Sequence, residues 1–276
     1  MIKYCYLDAH AALHHVFQSD LANPDKRIIV GEEYLAEMTR WEGGVRRIEH
    51  LRRLASIGHR VYYAVDEAFC VSQEHQTLTR TDRSKILLNS GTRLLRDALA
   101  DPLQFDRYFS EQEMQTTIAA NDYNDPDLRP WWFRMVSDFA RLFRQHGIRR
   151  SGVRNLTDEE LKSIVGAGRL FVRDQLINKG IPDYKALRFC LKDSCSLRRH
   201  ICILSRIYDW TLRNGIEGLS EQQIYAEQAD MRHLVLASYF DYFLTDDEAN
   251  QRADRNLRRA IILGKTDKHI ATVAEP

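Results

Sequence analysis

The spacing of apolar and polar positions divides the chain into two kinds of territory. Near the start, residues 2–7 form a short β-prone run that ends on Asp8; near the other end, residues 239–244 form another, closed by Thr245, Asp246 and Asp247. Further strands are predicted at 27–30 and 59–65, with helices at 9–17, about 32–41 and 45–56, the last stopped by Gly58. Strand and helix alternate through this first part, as they do where crossover units build a mainly parallel sheet with helices on its faces. From about residue 84 to 218 the period becomes helical, at 85–100, 130–147, 157–178 and 197–214. Thr157 before Asp158, Glu159 and Glu160, and Ser220 before Glu221, mark helix starts. The stretch 121–130, with Asn124, Asp125, Pro126 and Asp127, reads as a loop, and a last helix follows at 248–263. The predicted fold is therefore α/β: an α/β/α sandwich around a central, mainly parallel sheet, from residues 1–70 and 219–276, interrupted by a mainly helical insertion at 71–218.

Composition adds limits to this picture. A chain of 276 residues with 44% hydrophobic content can bury a substantial core. Lys plus Arg number 40 against 39 for Asp plus Glu, so a formal charge of +1 gives no global attraction to nucleic acid, and any such footprint must be local. No stretch approaches the roughly 20 apolar residues that span a bilayer, and residues 1–8 lack the pattern of a signal peptide, so a cytoplasmic protein without membrane partners is expected. Cys5, Cys70, Cys190, Cys195 and Cys202 are odd in number and scattered, which suits reduced thiols. Cys190, Cys195, Cys202 and His200 lack a CxxC pair and lie in a helical, apolar pattern, so buried structural cysteines are the better reading than zinc. Motifs of serine hydrolases, Walker ATPases, dinucleotide-binding enzymes and zinc proteases of the HExxH kind are all missing, and the adjacent His14 and His15 would face different ways on a helix.

The chemistry is carried by acids. In parallel α/β sheets ligand groups gather beyond the carboxyl ends of the strands, and two strands here end in Asp. A single Asp at a strand end is ordinary turn chemistry; the set is more telling. Asp241 and Asp247 flank the last strand run, and Asp230 stands on the helix before it.

The stretch from Asp230 to Asp247, DMRHLVLASYFDYFLTDD, resembles the closing motif of PIN-domain nucleases, in which an acid on a helix is followed by a strand of the form Asp, three apolar residues, Thr, any residue, Asp. The run from Tyr4 to Asp8 is similar to the family's first strand with its metal-binding Asp, and GEEYLAEM, residues 31–38, to the segment that presents the family's Glu. The resemblance covers roughly residues 1–65 and 224–263. It implies Asp8 as central ligand for Mg²⁺ or Mn²⁺, Asp230 and Asp247 as flanking ligands and Glu37 as ligand or water orienter. Asp241 and Asp246 are second choices, and Glu32 and Glu33 belong to the first helical turn, where carboxylates favour the dipole. Two departures stand out: His10 replaces the usual Asn, Ser or Thr that supports the first Asp, and the gap between Glu37 and Asp230 is long.

Such a cluster suits phosphodiester hydrolysis, because hard cations held by carboxylates activate water and neutralise the developing charge. The resemblance thus implies a metal-dependent (ribo)nuclease, with RNA favoured over DNA as partner. It is compatible with an inhibitory protein, as toxin nucleases of toxin–antitoxin pairs have, and with a homodimer. A catalytically inactive PIN-like module that binds nucleic acid or protein is the alternative. Thr245 and His10 are candidates to hydrogen-bond at the site. Arg252 and Arg255, in a basic series with Arg258 and Arg259 on the last helix, are the best candidates for phosphate contacts, ahead of Arg149, Arg150, Arg154, Arg198 and Arg199. Trp131 and Trp132 have the chemistry to stack on bases, although aromatics at a helix start are usually core.

Overall fold

The structure, a computed structural model, describes residues 1–8, 10–35, 45–109, 128–149, 151–213 and 220–266. It comprises two compact units: Met1–Cys70, Asp82–Asp125 and Arg232–Gln251 form the first, and Val71–Thr81, Pro126–Met231 and Arg252–Pro276 the second.

The first unit is built on a four-stranded sheet, β1 Lys3–Leu7, β2 Lys26–Gly31, β3 Val61–Ala64 and β4 Tyr242–Leu244, in the order β3-β2-β1-β4. Every pairing is parallel. The two central strands carry unbroken apolar runs because both of their faces are covered: Cys5, Tyr6, Leu7, Ile28, Ile29 and Val30 are all 0% exposed. Truncating Ile28 to Ala would cost about 2–5 kcal/mol, transfer and cavity terms together. Helices α1 Gln18–Ala22, α2 Val45–Ala55, α3 Glu67–Thr77 and α4 Asn89–Ala100 follow the first three strands in the chain.

The outer edge of β3 is covered by side chains and by the backbone of residues 86–88, with Leu88 N–H donating to the Tyr63 carbonyl at 3.2 Å. On β3 the backbone N–H of Tyr63 donates to Thr92 Oγ1 at 3.0 Å, and Arg96 Nε donates to the Val61 carbonyl at 3.0 Å. Thr92 and Arg96 lie on α4, which approaches closely because residue 91 is glycine: a Cβ there would stand 2.4 Å from the Tyr63 ring. This helix, placed in the insertion by the sequence pattern, therefore belongs with the sheet. The other edge, β4, is only three residues long.

The second unit contains α5 Leu128–Gln145, α6 Asp158–Asn178, α7 Asp183–Cys190, α8 Cys195–Leu212, most of α9 Glu221–Ala237 and most of α10 Glu248–Thr266. Helix α6 packs on α7 and α8, and α8 on α5. Thr157 caps α6 in a reciprocal box with Glu160, and Ser220 Oγ accepts from the Gln223 N–H at 3.2 Å, as their sequence contexts predict. All five cysteines are buried free thiols. Among the described residues no helix is long and apolar enough to cross a membrane.

Three local expectations are corrected. Within 9–17 the described chain makes two 3₁₀ turns, His10–Ala12 and His15–Phe17, rather than one helix, because Ala11 and Ala12 are drawn into the core at 0% exposure. Gly58 is not a left-handed helix stop; it opens the 3₁₀ turn Gly58–Arg60. The last strand begins at Tyr242 rather than Tyr239, since α9 runs on to Ala237 and a turn follows.

Candidate active site at the carboxyl ends of the strands

The strand order reverses between β1 and β4, and the carboxyl ends of the strands at such a reversal are where open parallel sheets commonly bind ligands. Asp8 follows β1 directly, and its backbone N–H donates to the Leu244 carbonyl at 3.0 Å, continuing the ladder to β4. Its carboxylate is buried, 9% exposed, and accepts a 2.6 Å hydrogen bond on Oδ2 from Thr245 Oγ1. Thr245 Oγ1 in turn accepts from the Asp247 N–H at 3.2 Å. With its hydroxyl committed on both sides, Thr245 positions the acids; it is not a free substrate donor. Asp247 Oδ1 accepts from the Asn250 N–H at 2.9 Å and so caps α10, leaving the exposed carboxylate anchored by one oxygen.

The acids continue along this edge. Beyond β2 stand Glu32 and Glu33, and beyond β3 stand Asp66 and Glu67. Glu33, Asp66 and Glu67 are buried. Burial, with the negative charge of Asp66 beside it, pushes the Glu32 carboxyl up to about 7. The same two causes raise Glu33 well above the usual carboxylate range. Arg232, itself buried, lowers both and lies 3.8 Å from Asp66 Oδ1. Both Asp66 carboxylate oxygens are buried with no hydrogen-bond partner among the described residues. Tyr6 lies under the cluster, its ring stacked on Phe240 at 6.0 Å and edge-on to His233 at 5.8 Å. Burial first, then the charges of Glu33, Asp8 and Asp66, hold its hydroxyl neutral. Its hydroxyl occupies the place of a side chain at Gly31, where a Cβ would be 2.0 Å from the oxygen, so glycine is required at the end of β2.

The sequence-predicted residues separate accordingly. Asp8, Thr245 and Asp247 come together. Asp246 points outward, 4.0 Å from His14 Nε2. Asp241 sits at the opposite, amino end of β4, where Oδ2 accepts from the Tyr4 N–H at 2.7 Å and Arg83 approaches to 3.4 Å; that placement makes it a structural residue. Asp230 is half-buried on α9 in the second unit, within electrostatic reach of Arg206. Glu37 and the side chains of His10 and Trp131 lie outside the described residues, as does Arg150.

Arg252 is nearly buried and pairs with Asp209 at 3.6 Å, Arg258 with Asp254 and Arg259 with Asp158, so of that basic series only Arg255 is exposed. Arg154 and Arg198 are likewise paired, with Glu160 and Asp193. Trp132 is buried in α5.

Sequence reasoning missed Glu32, Glu33, Asp66 and Arg232. The signal was present: the third strand run is followed at once by Asp66 and Glu67, the same strand-then-acid pattern that singled out Asp8 and Asp247.

A hard divalent cation suits this edge in its donor chemistry: the Asp66 oxygens accept no hydrogen bond among the described residues, and an added positive charge would relieve the burial and the Asp66 charge that raise Glu32 and Glu33. Against that, among the described residues no three His, Cys, Asp or Glu are grouped to hold one ion. A metal here would rest on Asp8 and Asp247, with further oxygens from Glu37, water or substrate. No model of a known protein family, no curated protein and no solved structure matches the chain.

Proposed function

We propose that the protein is a metal-dependent nuclease of PIN-like type that hydrolyses phosphodiester bonds, with single-stranded RNA as the favoured substrate. The observation that carries this reading is the row of carboxylates at the carboxyl ends of all four parallel strands, centred on Asp8 where the strand order reverses. In this reading Asp8 and Asp247 hold Mg²⁺ or Mn²⁺, with Glu37 as the further acid of the resemblance. Mg²⁺ ordinarily keeps several waters and takes only one or two carboxylates beside substrate phosphate, so two preset protein ligands are enough to start a site. The bound ion supplies charge neutralisation and an activated water. Thr245 fixes the Asp8 carboxylate.

A second reading, a catalytically inactive nucleic-acid or protein-binding module, draws support from the lack of a three-ligand group among the described residues and from the use of one Asp247 oxygen as a helix cap. The two separate in one experiment. Wild type and Asp8→Asn are incubated with labelled single-stranded RNA and DNA in Mn²⁺, Mg²⁺ or chelator. Cleavage that requires the metal and disappears in the variant is the expected result and identifies the nucleic acid. Retained binding of RNA without cleavage under every metal condition would favour the inactive module, and the absence of any Mn²⁺ binding by calorimetry would remove the metal centre altogether.

A further inference from the structure

A cavity of about 530 Å³ lies within the helical unit, between α6, α8 and α10. Its apolar wall is made by Val165 of α6, Leu197 and Ile201 of α8, and Ala260 and Ile261 of α10. Its polar wall is mostly cationic: Arg80, Arg169, Lys192 and Lys265, with Asp193 as the one acid. That acid is already neutralised, since Arg198 grips both of its oxygens at 2.8 and 2.9 Å and Lys265 stands 3.1 Å away.

Arg169 is the telling residue. Its side chain belongs to a residue only 4% exposed, and Nη2 donates to the Gly264 carbonyl at 2.7 Å, which ties the guanidinium to the end of α10. Nε and Nη1, however, are buried with no hydrogen-bond partner, and no carboxylate pairs with Arg169 among the described residues. A buried guanidinium without a counter-charge is costly unless an anion meets it. Glycine at 264 keeps the space next to it open, for a Cβ there would come within 3.2 Å of Val165 Cγ1 and 3.7 Å of Arg169 Nη2.

We propose that this cavity is a binding site for a small amphipathic anion, a carboxylate or phosphate monoester carried on an apolar body, with Arg169 as the buried head-group partner. The size is that of ordinary small-molecule pockets, and the division into an apolar wall and a few convergent charged groups is theirs as well. Arg80 and Lys192 widen the positive field at the polar side; Lys192 Nζ is held in place by the Leu78 carbonyl at 3.1 Å. The site uses none of the acids at the sheet edge and stands or falls independently of the nuclease reading.

The test is calorimetric titration of the full chain with decanoate, decyl phosphate and the neutral decanol. At least one of the two anions should bind with micromolar affinity and at least tenfold more tightly than decanol; which anion binds better identifies the head group. Arg169→Gln, whose amide can still donate to Gly264, should weaken that binding tenfold or more. Ile261→Trp, which fills the apolar wall without touching the charges, should abolish it. Circular dichroism on both variants guards against unfolding, and Lys265→Glu offers a surface change that reverses local charge with the core untouched and should also weaken the anion. Decanol binding as tightly as the anions, no binding of either anion up to millimolar concentration, or binding unchanged in Arg169→Gln and Ile261→Trp would each overturn the proposal.

Discussion

The two units contain the same acidic side chains and treat them in opposite ways. In the helical unit nearly every buried or half-buried acid meets a cation: Glu160 meets Arg154, Asp193 meets Arg198, Glu227 meets Arg206, Asp209 meets Arg213 and Asp254 meets Arg258. At the carboxyl edge of the sheet, Glu32, Glu33 and Asp66 crowd around Arg232. The consequence is visible in proton affinity. Hydrogen bonds from Arg154, Thr157 and Tyr208 outweigh burial and bring the Glu160 carboxyl down to about 2, whereas burial and Asp66 carry Glu32 up to about 7. A paired acid stabilises a fold. A crowded acid destabilises it, and such groups gather where a protein handles charge from outside.

The largest effect should follow from exchanging one acid of each kind. On the proposed nuclease reading, Asp8→Asn is expected to lower metal-dependent cleavage by at least about a hundredfold, because it removes a charge that would hold the metal, while shifting the melting temperature by only a few degrees. Glu160→Gln should do the reverse and leave cleavage within about twofold. Parallel cleavage assays and melting curves read both; loss of activity in Glu160→Gln with Asp8→Asn intact would invert the assignment of function to the sheet edge.

The next effect is pH dependence, and its sign differs between the units. Glu32 has its folded value raised to about 7 from 4.5, so its contribution is full below pH 4.5 and is lost as pH rises toward 7. The helical unit runs the other way. Burial, with Lys179 Nζ 2.9 Å from Nδ1, lowers His75 to about 4, and burial against Phe171 lowers His200 to about 4. Those imidazoles must stay neutral, so their contributions are full above pH 6.5 and are lost as pH falls toward 4. Each group titrating in one state alone changes stability by about 1.4 kcal/mol per pH unit. Amide hydrogen exchange between pH 5 and 8 should therefore show β1 and β2 losing protection with rising pH relative to α6 and α8, and Mn²⁺ should restore the sheet more at pH 8 than at pH 6. A common pH response in both units, or a metal effect independent of pH, would contradict the contrast.

Smaller again is the cost of Glu160→Gln itself. The carboxylate accepts from Arg154 Nη1 at 2.8 Å, the Thr157 N–H at 2.7 Å and the Tyr208 hydroxyl at 2.8 Å, and it closes the capping box of α6. Replacing it should cost about 1–3 kcal/mol by denaturant titration. Because its folded value is depressed, the contribution is present above pH 4.5 and disappears as pH falls toward 2.

The parallel sheet was legible because β1 and β2 carry uninterrupted apolar runs, and the positions of Asp8 and Asp247 followed from what comes after each strand. The turns at 10–17 were not, since a helical period there yields to the packing of Ala11 and Ala12 into the core. The membership of α4 in the sheet unit was hidden for another reason: it depends on Thr92 and Arg96 meeting the backbone of β3, contacts between residues distant in the chain. The crowding of Glu32 and Glu33 was not legible because a first-turn position accounts for a carboxylate by itself, and only the arrival of Asp66 from β3 makes these two acids crowded. The cationic cavity left no local mark, as its walls come from three helices, the segment 191–193 between α7 and α8, and an arginine just past α3.

The smallest effect is expected from the pair Arg173 and Asp183, and it tests whether pairing by itself explains the helical unit. Its geometry is close to ideal: Nε to Oδ1 at 2.7 Å and Nη2 to Oδ2 at 2.8 Å, a two-pronged contact. Yet the side chains are 33% and 58% exposed, so water screens the attraction and ordering two long side chains offsets most of it. Arg173→Ala should leave the melting temperature within about 1 °C of wild type and unaffected by salt. A drop as large as that of Glu160→Gln would mean that contact geometry, not burial, decides what an acid contributes, and the distinction drawn between the two units would have to rest on shape alone.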